Sequence, residues 1–208
     1  MKDIYELDHW VTADEIQQVI AITDEWEKVP YIAKEGKFPN QLIATQSWHK
    51  WNSTDALGQL LGKKMTDVIG THQVIEVNCV ELYLPWDIHC DYIRKDKYRV
   101  PYYSLLLPLE SCTSRTVFFD QTADYNDFWK YKKLNQPVEN PVDLDFWNNN
   151  LSHCWDEDRL YLSLKYVSHN WEAGNAVFFK RDLFHSSDNY HTRNSRPKKF
   201  LTILTDLE

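Results

Sequence analysis

The sequence predicts a mainly β protein with flanking helices, an α+β arrangement. Three observations predict it. Two stretches with helical spacing of apolar residues, each preceded by a capping residue, lie before residue 73. From residue 73 onward the pattern changes to short alternating runs rich in Val, Ile, Leu, Tyr and Phe. One long polar and aromatic segment, 121–158, interrupts those runs.

Residues 1–11 read as a short strand or an extended arm. Thr12 and Glu15 fit a capping box, in which hydroxyl and carboxylate satisfy each other's backbone N–H groups. Ile16, Val19, Ile20 and Trp26 then recur at helical spacing, and Pro30 is expected to stop the helix. Residues 41–46 read as a strand. Ser53, Thr54 and Asp55 open a second helix, whose stripe is Leu57, Leu60, Leu61, Met65, Val68 and Ile69, with Gly70 as its C-terminal cap.

Residues 73–84 alternate as a strand that Pro85 ends, and 101–108 and 116–120 read as two more. Within 121–158, short helices are expected at 125–131 and 144–151. Residues 159–169 look like a strand, Gly174 suits a turn, 175–180 form a strand leading to His185, and 200–205 form the last one. The whole is expected to be one domain over 1–208, with a helical N-terminal part (1–72) and a β core (73–206) that carries the 121–158 insertion.

Composition narrows the function classes. The chain is 43% hydrophobic with nine Trp, as expected of a folded globular protein. Its formal charge of −8 argues against general nucleic-acid binding, which needs a basic face to displace counterions. The expected partner is a small-molecule or peptide substrate. The four Cys show no CxxC pair, so neither a disulfide framework nor a zinc ribbon is expected, and reduced thiols suggest a cytoplasmic setting. No run of about 20 apolar residues is present, and the first residues lack the apolar core of a signal peptide.

Chemistry concentrates around His89-Cys90-Asp91, directly after the strand at 73–84. In extended chain, residues two apart share a face, so His89 and Asp91 aim an imidazole and a carboxylate at one point while Cys90 points away. His185, at the end of another strand-like run, supplies a third ligand. Two His and one carboxylate on one side of a metal form the facial triad of non-heme Fe(II) oxygenases. A jelly roll, two sheets packed face to face, brings such strand ends together.

With these residues in place, the chain resembles the Fe(II)/2-oxoglutarate-dependent oxygenases, and more narrowly the phytanoyl-CoA-dioxygenase-like group of phages and marine microbes. The resemblance covers roughly residues 73–206. It rests on His89-Cys90-Asp91 after a strand, on the run from Trp171 through His185 to Asn189, and on a basic residue entering the last strand at 198–205. It implies a double-stranded β-helix core (jelly roll, cupin-like) with His89, Asp91 and His185 as catalytic iron ligands. It also implies Fe(II), 2-oxoglutarate as co-substrate, O2, and release of succinate and CO2. The far carboxylate of 2-oxoglutarate is expected on Lys198 and Thr202, which share a strand face; Lys199 and Arg193 are the competitors. Tyr83 is a further candidate for the co-substrate. A carboxylate at position 91, where related halogenases carry a small residue, implies hydroxylation, or a related oxidation, over halogenation.

Several aromatic and imidazole groups stay open at this stage. Trp86, Trp129, Trp147 and Trp155 are candidates to wall a substrate pocket, and Asn189 to orient the loop after His185. His153 and His169 read as surface or turn histidines, and His191 as a loop residue.

Overall fold

The computed structural model describes residues 2–34, 36–91, 101–123, 137–169, 171–193 and 196–207. In chain order the elements are β1 (Ile4–Leu7), α1 (Ala13–Asp24), β2 (Val29–Ile32), β3 (Leu42–His49), α2 (Ala56–Ile69), β4 (Gln73–Leu82), β5 (Pro101–Pro108) and β6 (Thr116–Thr122). They continue with α3 (Leu144–Asn150), β7 (Leu164–Val167), β8 (Ala176–Lys180), β9 (Leu183–Ser187) and β10 (Lys198–Asp206).

The expected caps are in place. Thr12 Oγ1 accepts from Glu15 N at 3.2 Å, and the Glu15 carboxylate accepts from Thr12 N at 2.7 Å. Asp55 caps α2 by accepting from Gly58 N at 2.8 Å. Gly174 takes φ +90, and a Cβ there would stand 2.6 Å from the Val11 carbonyl oxygen, so the turn before β8 needs glycine.

Seven strands form one antiparallel sheet in the order β1-β8-β5-β10-β4-β3-β2; three form a second, β7-β6-β9. α1 and α2 cover one face of the large sheet through Ile16, Val19, Leu61 and Met65, against Val77, Tyr103, Leu201 and Ile203. The other face meets the small sheet, where Val80, Leu106, Phe179 and Phe200 pack with Phe118 and Leu183. The far side of the small sheet is closed by Trp147 and Leu151 of the insertion and by Leu162 just after it, against Val117, Phe119 and Phe184. Trimming one of these buried aromatic or Leu side chains to Ala costs roughly 2–5 kcal/mol.

Alternation along β10 decides what reaches the space between the sheets. Leu201 and Ile203 lie among the helix-side residues and Phe200 among the inter-sheet ones. Lys198, Thr202 and Leu204 therefore share the inner face with Phe200, and Lys199 takes the outer one.

Several expectations shift. The first 72 residues contribute β1, β2 and β3 to the large sheet as well as two helices. α1 ends at Asp24, ahead of Pro30, which lies in edge strand β2, where its missing N–H costs no ladder bond. β4 ends at Leu82, before Pro85, as the next residues turn to bond Ile43. Residues 156–161 form a 3-10 turn, and the strand expected over 159–169 is confined to 164–167. Leu160 and Leu162 are drawn off to accept bonds from Val138 and Val142. The run toward His185 is two strands, and His185 sits in the middle of β9, because Arg181 and Asp182 turn the chain from one sheet to the other. The helix expected at 125–131 lies outside the described residues.

Candidate metal centre

His89 and His185 face each other as a cross-strand pair. His89 N donates to His185 O at 3.0 Å and His185 N to His89 O at 2.8 Å. Such a reciprocal antiparallel pair puts both side chains on one face. The ring centroids are 4.3 Å apart. Asp91, two residues beyond His89, joins them. Its Oδ1 lies 3.9 Å from Nε2 of each histidine. The three ligand atoms all lie within 4.8 Å of one another.

The second ring nitrogen fixes what each histidine offers. His89 Nδ1 lies 2.8 Å from the Asp87 carbonyl and His185 Nδ1 3.1 Å from the Leu183 carbonyl. A carbonyl only accepts, so each Nδ1 carries a proton and each Nε2 is the nitrogen turned toward Asp91. His185 is buried, with Phe179 at 4.6 Å and Phe118 at 5.9 Å between ring centroids. Burial, with His89 beside it, pulls its pKa down to about 4, which keeps it neutral. His89 is part-exposed, so the group opens to solvent on that side.

This donor set fits a divalent ion such as Fe(II): two neutral imidazoles and a carboxylate, with one side open. Bonds of about 2.1 Å to a six-coordinate ion place neighbouring ligand atoms about 3 Å apart. The Asp91–histidine distances of 3.9 Å are about 1 Å wider than that.

Arg181 frames the triad, and sequence reading missed it. It is 2% exposed. Its Nε and Nη2 donate to the Asp91 carbonyl at 3.2 and 3.1 Å, and its Nη1 donates to Thr205 O at 2.9 Å and to the Asp206 carboxylate. Its own carbonyl accepts from Asp91 N at 3.0 Å.

The expected co-substrate residues separate. Lys198 is 2% exposed. Its Nζ lies 3.4 Å from the Trp171 ring centroid, 5.8 Å from those of Tyr190 and Phe200, and 3.3 Å from Ser187 Oγ. Burial brings its pKa down to about 7. Thr202 shares the inner face, flanked by Asn78 and Leu106. Lys199 points the other way and bonds Asp24 at 2.8 Å. Arg193 is paired with Asp188. Tyr83 is exposed and bonds Glu81 at 3.2 Å, on the outer side of β4.

The remaining candidates divide as follows. Trp86 lies 5.6 Å from the His89 ring. Trp147 is fully buried behind the small sheet, Trp155 is exposed, and Trp129 lies outside the described residues. His169 is exposed. His191 is half-buried, its ring 5.6 Å from that of Phe38. His153 is buried, contrary to the surface expectation. Its Nδ1 lies 2.7 Å from Asn189 Oδ1 and its Nε2 3.0 Å from Ser186 Oγ. No helix among the described residues is long and apolar enough to cross a membrane.

No protein-family model and no curated protein matches the sequence. Solved structures share its fold. The non-heme α-ketoglutarate-dependent epimerase SnoN from nogalamycin biosynthesis aligns with a TM-score of 0.61 at 9% identity, over 98% of this chain and 78% of that one. SnoN is also solved in complex with Fe3+, α-ketoglutarate and nogalamycin RO. An oxidoreductase of the 2OG-Fe(II) oxygenase family from Burkholderia pseudomallei aligns with a TM-score of 0.56 at 9% identity, over 98% and 85% of the two chains. A Pseudomonas putida prolyl-4-hydroxylase aligns with a TM-score of 0.52 at 11% identity, over 99% and 93%.

Proposed function

We propose that the chain is an Fe(II)- and 2-oxoglutarate-dependent oxygenase with a jelly-roll core, hydroxylating a small molecule or a protein side chain. The phytanoyl-CoA-dioxygenase-like group is the branch its motifs resemble. One observation carries the reading: His89 and His185 both tie Nδ1 to a backbone carbonyl and turn Nε2 toward Asp91. That is the arrangement a metal needs from histidine, set by local bonds two residues upstream of each ring.

His89, Asp91 and His185 hold the iron, and the open side is left for co-substrate and O2. Bound there, iron and the keto acid supply with O2 the oxidising power for a C–H bond, releasing succinate and CO2. Lys198 and Thr202 take the far carboxylate. Lys198 suits this because, among the described residues, no carboxylate lies within ion-pair distance of its Nζ, and a buried ammonium is stabilised by an anion. Phe118 and Phe179 shield the His185 ring from water, and Trp86 stands beside His89. Asp91 occupies the position that halide would need, which favours hydroxylation.

The test is anaerobic absorption of the Fe(II)-loaded protein before and after 2-oxoglutarate. A new visible charge-transfer band is expected. Iron that washes off and no band would sink the reading in favour of a binding jelly roll. Tightly held iron without a band would favour a metal enzyme that does not use the keto acid.

A further inference from the structure

The strand registers place a second polar group on the inner face, away from Lys198. Trp48, Asn78, Thr202 and Leu106 form one row across β3, β4, β10 and β5. Glu76, Leu204 and Ser104 form the next row. Lys198 pairs with Leu82, six residues along β4 from Glu76, or about 20 Å of strand. The two ends of this face therefore carry opposite charge.

Two polar atoms at the Glu76 end lack partners, while the Trp48 side chain bonds the Glu76 carboxylate and leaves it further acceptor positions. Asn78 is 6% exposed, and its Oδ1 is buried with no hydrogen-bond partner; Ser104 Oγ is in the same state. Glu76 is half-buried, and burial raises its carboxyl pKa. Asp91 adds negative potential nearby, while Arg181 is held by Asp91, Thr205 and Asp206. At the rim, Trp48 is 51% exposed, although it belongs to the inner row.

We propose that Glu76, Asn78 and Trp48 form the substrate subsite, and that it takes a protonated amine or guanidinium group. A cationic group brings N–H donors to the Glu76 carboxylate and Asn78 Oδ1 together, and the indole face of Trp48 attracts it further. An anionic group would meet Glu76 with like charge. The net charge of −8 draws cations to the protein in general, and this face directs one to the metal. The inference rests on the oxygenase reading for the word substrate, but the subsite is testable without turnover.

The experiment is calorimetric titration of the anaerobic Fe(II)/2-oxoglutarate protein with agmatine, putrescine and n-butylguanidinium, and with n-butylurea as the neutral isostere of the last. At least one cationic probe is expected to bind, with n-butylurea at least tenfold weaker. Glu76→Gln should weaken that probe at least tenfold while keeping the charge-transfer band and the wild-type melting temperature. Trp48→Ala, at an exposed position, should also weaken it and serves if Glu76→Gln does not fold. No cationic probe bound, n-butylurea bound equally well, or the variants binding like wild type would each overturn the subsite. Cation binding that depends on Glu76, in a protein that shows no band, would overturn the oxygenase reading and leave the subsite standing.

Discussion

Arg181 and Asp91 hold each other in both directions. The Asp91 amide donates to the Arg181 carbonyl at 3.0 Å, and the Arg181 guanidinium donates twice to the Asp91 carbonyl, at 3.2 and 3.1 Å. The same guanidinium reaches Thr205 and Asp206 at the end of β10. Three segments far apart in sequence thus fix the main chain that carries the candidate carboxylate ligand. The turn between β8 and β9 sets the position of Asp91 as firmly as it delivers His185.

Arg181→Met should therefore act on both stability and metal. It leaves the Asp206 carboxylate buried without its guanidinium, at a cost of roughly 3–5 kcal/mol. It also frees Asp91, which should weaken iron by about 10–100-fold. Adding Asp206→Leu should restore much of the stability and little of the iron affinity. Urea denaturation and iron titration of the single and double variants check this. Full recovery of iron affinity in the double variant would mean that the clamp does not place Asp91.

Removing a ligand should act on metal first. His89→Ala and Asp91→Ala are expected to abolish retention of Fe(II) through desalting, and with it turnover. Both sites are part-exposed, so the fold should survive. Metal analysis beside a melting curve separates the two effects. Wild-type iron content in either variant would remove that residue from the triad.

Lys198 gives a pH dependence with a definite sign. Burial holds its pKa at about 7, so above neutral pH the lysine is mostly uncharged. A bound carboxylate favours the ammonium and raises that pKa. Binding of 2-oxoglutarate above pH 7 should take up a proton, and affinity should fall as pH rises, by up to about tenfold per unit. Calorimetry in buffers of different ionisation enthalpy reads the proton directly. Lys198→Ala should abolish the uptake and raise the 2-oxoglutarate requirement while iron stays bound. A silent Lys198→Ala beside an affected Lys199→Ala or Arg193→Ala would reassign the carboxylate.

The parts that sequence showed well are those set by local rules. Period-two alternation placed β4, β5 and β10, and the i, i+2 relation put His89 and Asp91 on one face. The capping residues marked both N-terminal helices. The parts it missed depend on distant segments. Arg181 lies in a charged run, Lys180 to Asp182, whose composition gives no sign of burial. It is buried only because Asp91 and Asp206 converge on it. β2 is exposed at all four residues, so it carries no burial pattern to read. Lys198 and Lys199 are equivalent by composition; only the register of β10 sends one inward and the other to Asp24.

His153 shows the same dependence, and it yields a pH test of stability. Asn189 and Ser186, 36 and 33 residues downstream, bond its two nitrogens, and Ser186 Oγ also lies 3.0 Å from the Trp86 carbonyl oxygen. The network joins the insertion to β9 and to the segment carrying His89. Burial lowers the pKa of His153 to about 4, and in the unfolded chain it titrates at about 6.5. Between those values the unfolded state binds more protons, so stability is fully present above pH 6.5 and is lost as pH falls toward 4. In iron-free protein His185 contributes in the same window. His153→Gln removes one of the two sites. It should cost about 1–3 kcal/mol at pH 7.5 through unsatisfied partners and lower the pH slope below 6.5 by up to about 1.4 kcal/mol per unit. Urea denaturation from pH 7.5 to 4.5 measures both. An unchanged slope would mean that His153 is not held neutral in the folded protein, and that the insertion is docked by apolar contacts alone.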